Sequence, residues 1–437
     1  MAKNLINISI YLFFSSFLVI DTFLPFNIYG LNIFIIDGVF LLLLLIIISI
    51  AKYDLIKFFF NYKNFFFIET VSISILLIFI LKFLFDFSNF YNFYQLISFV
   101  YILLLYFTFK FLISNYENCK NRIITSFIYI FFISIIIIFF VTIIYYLDIQ
   151  TGNYSLWEKA EHYPYHNKPV LHINGLIKNY NMFAYTMVPG FIFFIFKNYI
   201  NKPYKFILLL IFFTSILAFF VKAKIFMLVF SVSFVFFIYY HFKNITYSKY
   251  LLFLSTLFII FFYIMTTNFI ILETNEVNKL MVNNYPRYYT LEPLSDFFDY
   301  SIYGTFFYKL KLVAFEQAKS FNFLIFNSMD FLSFFDVFTN NMNVDFTSLS
   351  GSEPHSHYFS FLGDFGFLGL LIILLFSSYP FYILIKRNID KELMPLIVIL
   401  IIFFIEGINT DIINFRFVWI ILALIYFQFH IKKINKL

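Results

Sequence analysis

The chain predicts an all-α polytopic membrane protein of about twelve spans, and three observations carry that fold class. Of its 437 residues, 62% are hydrophobic and only 12% charged, with a mean hydropathy of +0.87. Soluble domains carry about twice that share of charge. Apolar stretches of about 20 residues recur along the chain, the length a helix needs to cross ~30 Å of hydrocarbon. Basic residues fall in alternate connections between those stretches, as the positive-inside rule requires.

Taken in order, the apolar runs place spans near 5–24, 31–51, 65–85, 93–114, 124–147, 181–197, 204–221, 225–242, 249–270, 358–385, 394–410 and 412–431. The first is too long for a removable signal peptide and lacks a small-residue cleavage site, so a signal anchor is expected. With the N-terminus inside, Lys3, then Lys52, Lys57 and Lys63, then Lys110, Lys120 and Arg122 all fall in cytoplasmic connections. So do Lys197, Lys202 and Lys205, Lys243 and Lys249, Lys386, Arg387 and Lys391, and finally Lys432, Lys433 and Lys436. The short outward turns at 25–30, 86–92 and 410–411 contain no basic residue. Both termini are therefore expected in the cytoplasm.

Two outward segments are long. One, about 148–180, holds Trp157, His162, His166, Lys168, His172 and Lys178. The other, 271–357, carries ten carboxylates against five basic residues and helical-looking stretches such as 306–319. A connection of that length inside a compact protein is expected to be folded. The predicted organisation is an N-terminal bundle over 1–270, a large helical outward loop over 271–357 between helices nine and ten, and a C-terminal bundle over 358–437. Neither internal repeats nor low-complexity tracts are present. The net charge of +6 does not indicate a nucleic-acid partner, because the basic residues sit in short loops between apolar spans. The single cysteine, Cys119, falls in a predicted cytoplasmic loop and supports neither a disulfide framework nor a thiolate metal site.

Ionisable residues inside spans are costly and mark function by default. Here they are Asp21, Asp37, Glu69, Lys82, Asp364, Glu406 and Arg416. Asp21, Glu69 and Lys82 lie near span ends, from which they are expected to reach the interface. Glu406 and Arg416 flank a tight turn, so they are expected either to pair across it or to contact substrate. Lys222 and Lys224 interrupt an apolar run at the outward turn between spans seven and eight. They either snorkel to the interface or hold a phosphate as point charges.

The densest chemistry lies at Glu353-Pro354-His355-Ser356-His357, which runs straight into an apolar helix. From His355, the positions at +4, +7, +11 and +14 are Phe359, Leu362, Gly366 and Gly369, one helix face. Gly363, Gly366 and Gly369 would let a neighbouring backbone approach closely. Pro354 suits a first helical turn, and the helix N-terminus favours an anion near His355. An imidazole there is suited to act as general base on a sugar hydroxyl. A metal at His355 and His357 would need His162, His166 and His172 from the other loop, and none is expected.

These residues resemble the O-antigen polymerase and O-antigen ligase superfamily of the bacterial envelope. That family's pattern is a His, usually followed by Asn, then spaced apolar positions, an acidic residue and two glycines. Here it reads His355-Ser356, Phe359, Leu362, Asp364, Gly366 and Gly369, with Ser356 in place of Asn and Asp364 in place of Glu. The run Asn179-Tyr180-Asn181-Met182-Phe183-Ala184 is similar to the family's N-x-N-x-x-A start to a span. Ala223-Lys224 stands where the family usually has Ser-Arg, which keeps the charge but loses the bidentate fork. The family's loop arginine corresponds to either Lys309 or Arg287.

The resemblance implies a GT-C-like fold and a metal-independent, cofactor-free, inverting glycosyltransferase at the periplasmic face of the bacterial inner membrane. The expected donor is a glycan on undecaprenyl pyrophosphate, with His355 as the base. Lys222, Lys224, Arg287, Lys309, Arg416 and His357 would hold substrate or pyrophosphate. Asn181, Asp364, Gly366 and Glu406 would support them from behind. A polymerase joining repeat units is the leading expectation; a ligase to lipid A core and a lipid-linked glycan flippase are the alternatives. A chain-length regulator and the pathway's flippase are the expected protein partners.

Overall fold

The computed structural model describes residues 2–19, 23–28, 31–59, 67–85, 90–116, 118–147, 157–160, 170–173, 176–177, 180–221, 223, 225–242, 247–269, 357–386, 390–408, 410 and 412–428. The loop expected over 271–357 lies outside them except for His357, as do Asp21 and the side chain of Lys82.

Helix occupies all twelve predicted stretches. The first nine helices are α1 (Ala2–Ser15), α2 (Ile35–Phe59), α3 (Phe67–Phe85), α4 (Phe90–Asn115), α5 (Cys119–Tyr146), α6 (Tyr180–Tyr199), α7 (Pro203–Val221), α8 (Ile225–Phe242) and α9 (Ser248–Phe269). Four more follow: α10 (His357–Ser377), α11 (Tyr379–Lys386), α12 (Met394–Glu406) and α13 (Arg416–Tyr426). A turn at Ser378 splits the tenth predicted span into α10 and α11. A non-helical Ala51, with φ −135° and ψ 32°, breaks α2 where its apolar run ends.

Among the described residues, four helical stretches are long and apolar enough to cross a membrane: Gln95–Asn115, Cys119–Tyr145, Pro203–Val221 and Ile225–Phe242. The molecule is accordingly a helical membrane protein. Two short antiparallel ribbons decorate it, β1 (Phe23–Ile28) with β2 (Leu31–Phe34) and β3 (Trp157–Ala160) with β4 (Val170–Ile173). The second falls in the predicted outward segment 148–180; the first straddles the predicted outward turn at 25–30, with β2 inside the stretch predicted as the second span.

The most completely buried helices of the core lie at the C-terminal end of the chain. Every residue of α12 is buried, and so is every residue of α13 from Phe417 to Tyr426. A helix that is apolar all round belongs in the interior of its bundle. α13 packs along α4, while α12 packs against α6 and α8. The C-terminal helices therefore share one core with the N-terminal ones. With 13 and 11 residues, α12 and α13 extend only ~20 Å and ~17 Å. The turn predicted near 410–412 is thus a longer connection over 407–415. Trp419 anchors it by donating its indole N–H to the Ile413 carbonyl at 2.7 Å.

Two close contacts set the helix spacing. At Gly190 a Cβ would overlap the Phe127 carbonyl oxygen and stand 2.7 Å from the Phe131 Cβ. α5 and α6 cross there almost backbone to backbone. Around the N-terminal helices, Phe13, Phe14 and Phe17 interlock with Phe40, Phe109, Phe127 and Phe417 through edge-to-face and tilted ring contacts.

Three placements differ from the sequence expectation. Glu69 does not reach an interface and Lys110 is not in a loop. Both are buried, the Lys110 Nζ lies 2.5 Å from Glu69 Oε1, and the Tyr106 hydroxyl donates to the same oxygen. The ammonium also sits 3.5 Å above the Tyr426 ring. An ammonium, a phenol and an aromatic face gathered around one carboxylate make burial tolerable for charges that would otherwise be expelled. Cys119, placed in a loop by its surroundings in sequence, is instead the buried first residue of α5. The chain reaches it through Asn118 in the left-handed conformation, φ 64°, which Asn adopts more readily than most residues.

Candidate functional site

One end of the bundle gathers the described residues that carry chemistry. The starts of α2, α6, α10 and α13 meet there with the end of α12. The His357 N–H donates to the Gly407 carbonyl at 2.9 Å, and the Tyr358 hydroxyl donates to the Phe404 carbonyl at 2.7 Å. The first turn of α10 therefore clasps the last turn of α12, so the positive end of one helix faces the negative end of the other. Two carbonyls that α12 leaves without intrahelical partners are satisfied in this way. His357 is fully buried, its ring against Tyr358 and Phe361.

Glu406 is the last residue of α12 and is 4% exposed. Its carboxylate accepts the Tyr185 hydroxyl at 2.8 Å, which ties α12 to α6. A buried carboxylate at the negative end of a helix is doubly unfavourable, and the Tyr185 bond offsets part of that cost. The Tyr185 ring packs on Phe415, the residue before α13. Asn181, the second Asn of the predicted N-x-N-x-x-A helix start, is the second residue of α6 and half-buried; Ala184 is fully buried one turn on.

Arg416 opens α13 and does not share a bond with Glu406. Its Nε and Nη2 donate to Oδ1 of Asp37, at 2.9 and 2.5 Å. The other oxygen of Asp37 accepts the Phe34 N–H at 3.3 Å, one half of a capping box at the start of α2. The guanidinium lies against the rings of Phe34 and Tyr101, 5.5 and 5.6 Å from their centroids. Beside it, Ser98 donates to the Asn414 side chain at 3.3 Å.

The connection between α12 and α13 thus brings together His357, Glu406 and Arg416 from the sequence-derived set, with Asn181 one turn before Tyr185 on α6. Asp364 and Gly366 lie on α10, with only their backbone described. His355, Lys222, Lys224, Arg287 and Lys309 lie outside the described residues. Three partners were missed in the sequence: Tyr185, Tyr101 and the Asp37 contact to Arg416. Asp37 could have been found, being the intramembrane acid at a predicted helix start that balances Arg416. The tyrosines could not, because this chain has 34 of them. Among the described residues no group of three His, Cys, Asp or Glu side chains comes together.

Chemically, this end offers a guanidinium partly open to solvent, a buried carboxylate under a phenol and a helix start held against the end of another helix. No family model, no curated protein and no solved structure matches this chain.

Proposed function

We propose that this protein polymerises oligosaccharide repeat units carried on undecaprenyl pyrophosphate, at the periplasmic face of a bacterial inner membrane, with twelve spans and both termini cytoplasmic. The observation that carries this reading is the spacing from His355 through Phe359, Leu362, Asp364 and Gly366 to Gly369. That run leads into α10, whose first residue, His357, is hydrogen-bonded to the α12–α13 connection.

In this mechanism the acceptor sugar hydroxyl attacks the anomeric carbon of the donor glycan. His355 takes the hydroxyl proton as the new glycosidic bond forms. The bond to the pyrophosphate breaks with inversion, and undecaprenyl pyrophosphate leaves. Charge grows on the leaving phosphate oxygens, and Lys222, Lys224, Arg287, Lys309 and Arg416 are the cations available to offset it. His357, buried and held to Gly407, anchors the start of α10 against the α12–α13 connection.

Complementation tests this directly. The wild-type chain and His355→Ala, at matched membrane abundance, are expressed in a polymerase-deficient host bearing the matching glycan cluster. Wild type is expected to restore a lipopolysaccharide ladder, and His355→Ala to leave single-repeat bands. Ladders from both would remove His355 as the base. No ladder from either would overturn the polymerase and direct the same assay to ligation or flipping.

A further inference from the structure

We propose that Asp37 and Arg416 form an exchangeable latch, in which Arg416 passes from Asp37 to a phosphate anion while the Tyr101 hydroxyl takes its place on Asp37. That the anion belongs to a lipid-linked glycan rests on the function proposed above; the latch itself does not.

Among the described residues, two ion pairs within the bundle are built differently. Glu69 and Lys110 have no exposed side-chain surface, whereas Arg416 and Asp37 retain 15% and 17%. The first pair is sealed; the second can be reached by a ligand. Arg416 also spends Nε and Nη2 on a single oxygen of Asp37. Its Nη1 group is not among the donors to Asp37. A planar fork with donors to spare suits the oxygens of a phosphate better than those of one carboxylate. The Phe34 and Tyr101 rings beside it keep the guanidinium oriented as it changes partner.

Removing Arg416 from Asp37 would leave a carboxylate without its counter-charge, which is costly unless a donor stands ready. Tyr101 is suited to that task. Its buried hydroxyl makes no well-aligned hydrogen bond but already lies within interaction distance of both Asp37 and Arg416, and its ring lies against the ion pair. A phenol can donate to Asp37 once the guanidinium has turned away. The Phe34 N–H keeps the other carboxylate oxygen in place throughout. The latch shares its end of the bundle with Glu406 and the start of α10, because Arg416 follows Glu406 by only ten residues.

The full chain in phosphatidylcholine nanodiscs, titrated with farnesyl pyrophosphate, tests the latch. Arg416→Gln is expected to weaken binding by about tenfold or more, as loss of a charge-assisted pair implies. Asp37→Asn is expected to tighten it several-fold, because the competing carboxylate is gone. Tyr101→Phe is expected to weaken it about threefold, since Asp37 is then left without a donor. Arg416→Lys, which keeps the charge, should fall between wild type and Arg416→Gln and serves if the glutamine variant does not fold.

A merely structural salt bridge predicts a different pattern, in which Asp37→Asn weakens binding as much as Arg416→Gln does. That pattern, unchanged binding in Arg416→Gln, or no binding by wild type, would overturn the latch. Adding phosphatidylglycerol to the discs separates the sources of phosphate. Competition in wild type that is lost in Arg416→Gln assigns the site to a phospholipid headgroup; absence of competition assigns it to the pyrophosphate. A restored ladder with an unaffected Arg416→Gln titration sinks the latch alone. The expected titrations without a ladder sink the polymerase alone.

Discussion

Glu69 and Lys110 form an ion pair with no exposed side-chain surface, roofed by Tyr426 and shared with Tyr106. Burying two charges costs solvation that their attraction only partly returns, so the pair is a specificity device more than a source of stability. It fixes which faces of α3, α4 and α13 meet. Glu69→Gln or Lys110→Met alone should destabilise the protein by about 3–5 kcal/mol, since each strands the other charge. The double variant Glu69→Leu/Lys110→Met should recover most of that loss, as read from thermal unfolding in detergent. Equal losses from the single and double variants would show that the charges do not act as a pair. Tyr101 of the latch lies about nine residues from Lys110 on α4, roughly 14 Å along the helix. At that separation the two sets of substitutions should combine additively.

Helix α6 decides how closely two halves of the bundle approach, and it does so through Gly190. No side chain fits at that position, because its first carbon would overlap the Phe127 carbonyl. Gly190→Ala should force α5 and α6 apart and cost about 1–3 kcal/mol, the range of overpacked cores. Circular dichroism melts of the purified protein would show it as a lowered midpoint, and an unchanged midpoint would mean that the crossing yields freely. The same helix carries Asn181 and Tyr185 at its start, so a shifted α6 should also loosen the Tyr185 bond to Glu406. α12 and α13 illustrate the opposite case. They are the shortest helices expected to span, yet they occupy the centre, because neighbours on every side replace the lipid that a longer helix would meet.

For the whole molecule, orientation is the property to measure. The exposed Asn414 sits beside the latch, whereas the exposed Lys202 lies at the opposite end with Asn201 and Tyr240. That opposite end is also tied by Lys120 to Glu392 at 2.9 Å and by Gln428 to Glu392 at 2.8 Å. On the orientation proposed above, in a Cys119→Ser background, Asn414→Cys should react with an impermeant maleimide from the periplasm, and Lys202→Cys only after the inner membrane is opened. The reverse pattern would invert the topology and move the candidate site to the wrong side for a periplasmic transferase. The wild-type Cys119, buried at the start of α5, should stay unlabelled in the folded protein.

The sequence by itself determined where helices form, because apolar length and local turn chemistry act over neighbouring residues; it took the α12–α13 connection for a tight turn. It also picked out the residues with charge inside apolar surroundings, Asp37, Glu69, Glu406 and Arg416 among them. It did not decide who pairs with whom. Glu406 and Arg416 lie ten residues apart and invite pairing, yet Arg416 bonds to Asp37, 379 positions away, and Glu406 to Tyr185, 221 positions away. Lys110 resembled a loop lysine because its partners come from α3 and α13. Only the tertiary structure brought those helices together, since the choice of partner for a buried charge depends on which faces the packed bundle leaves touching.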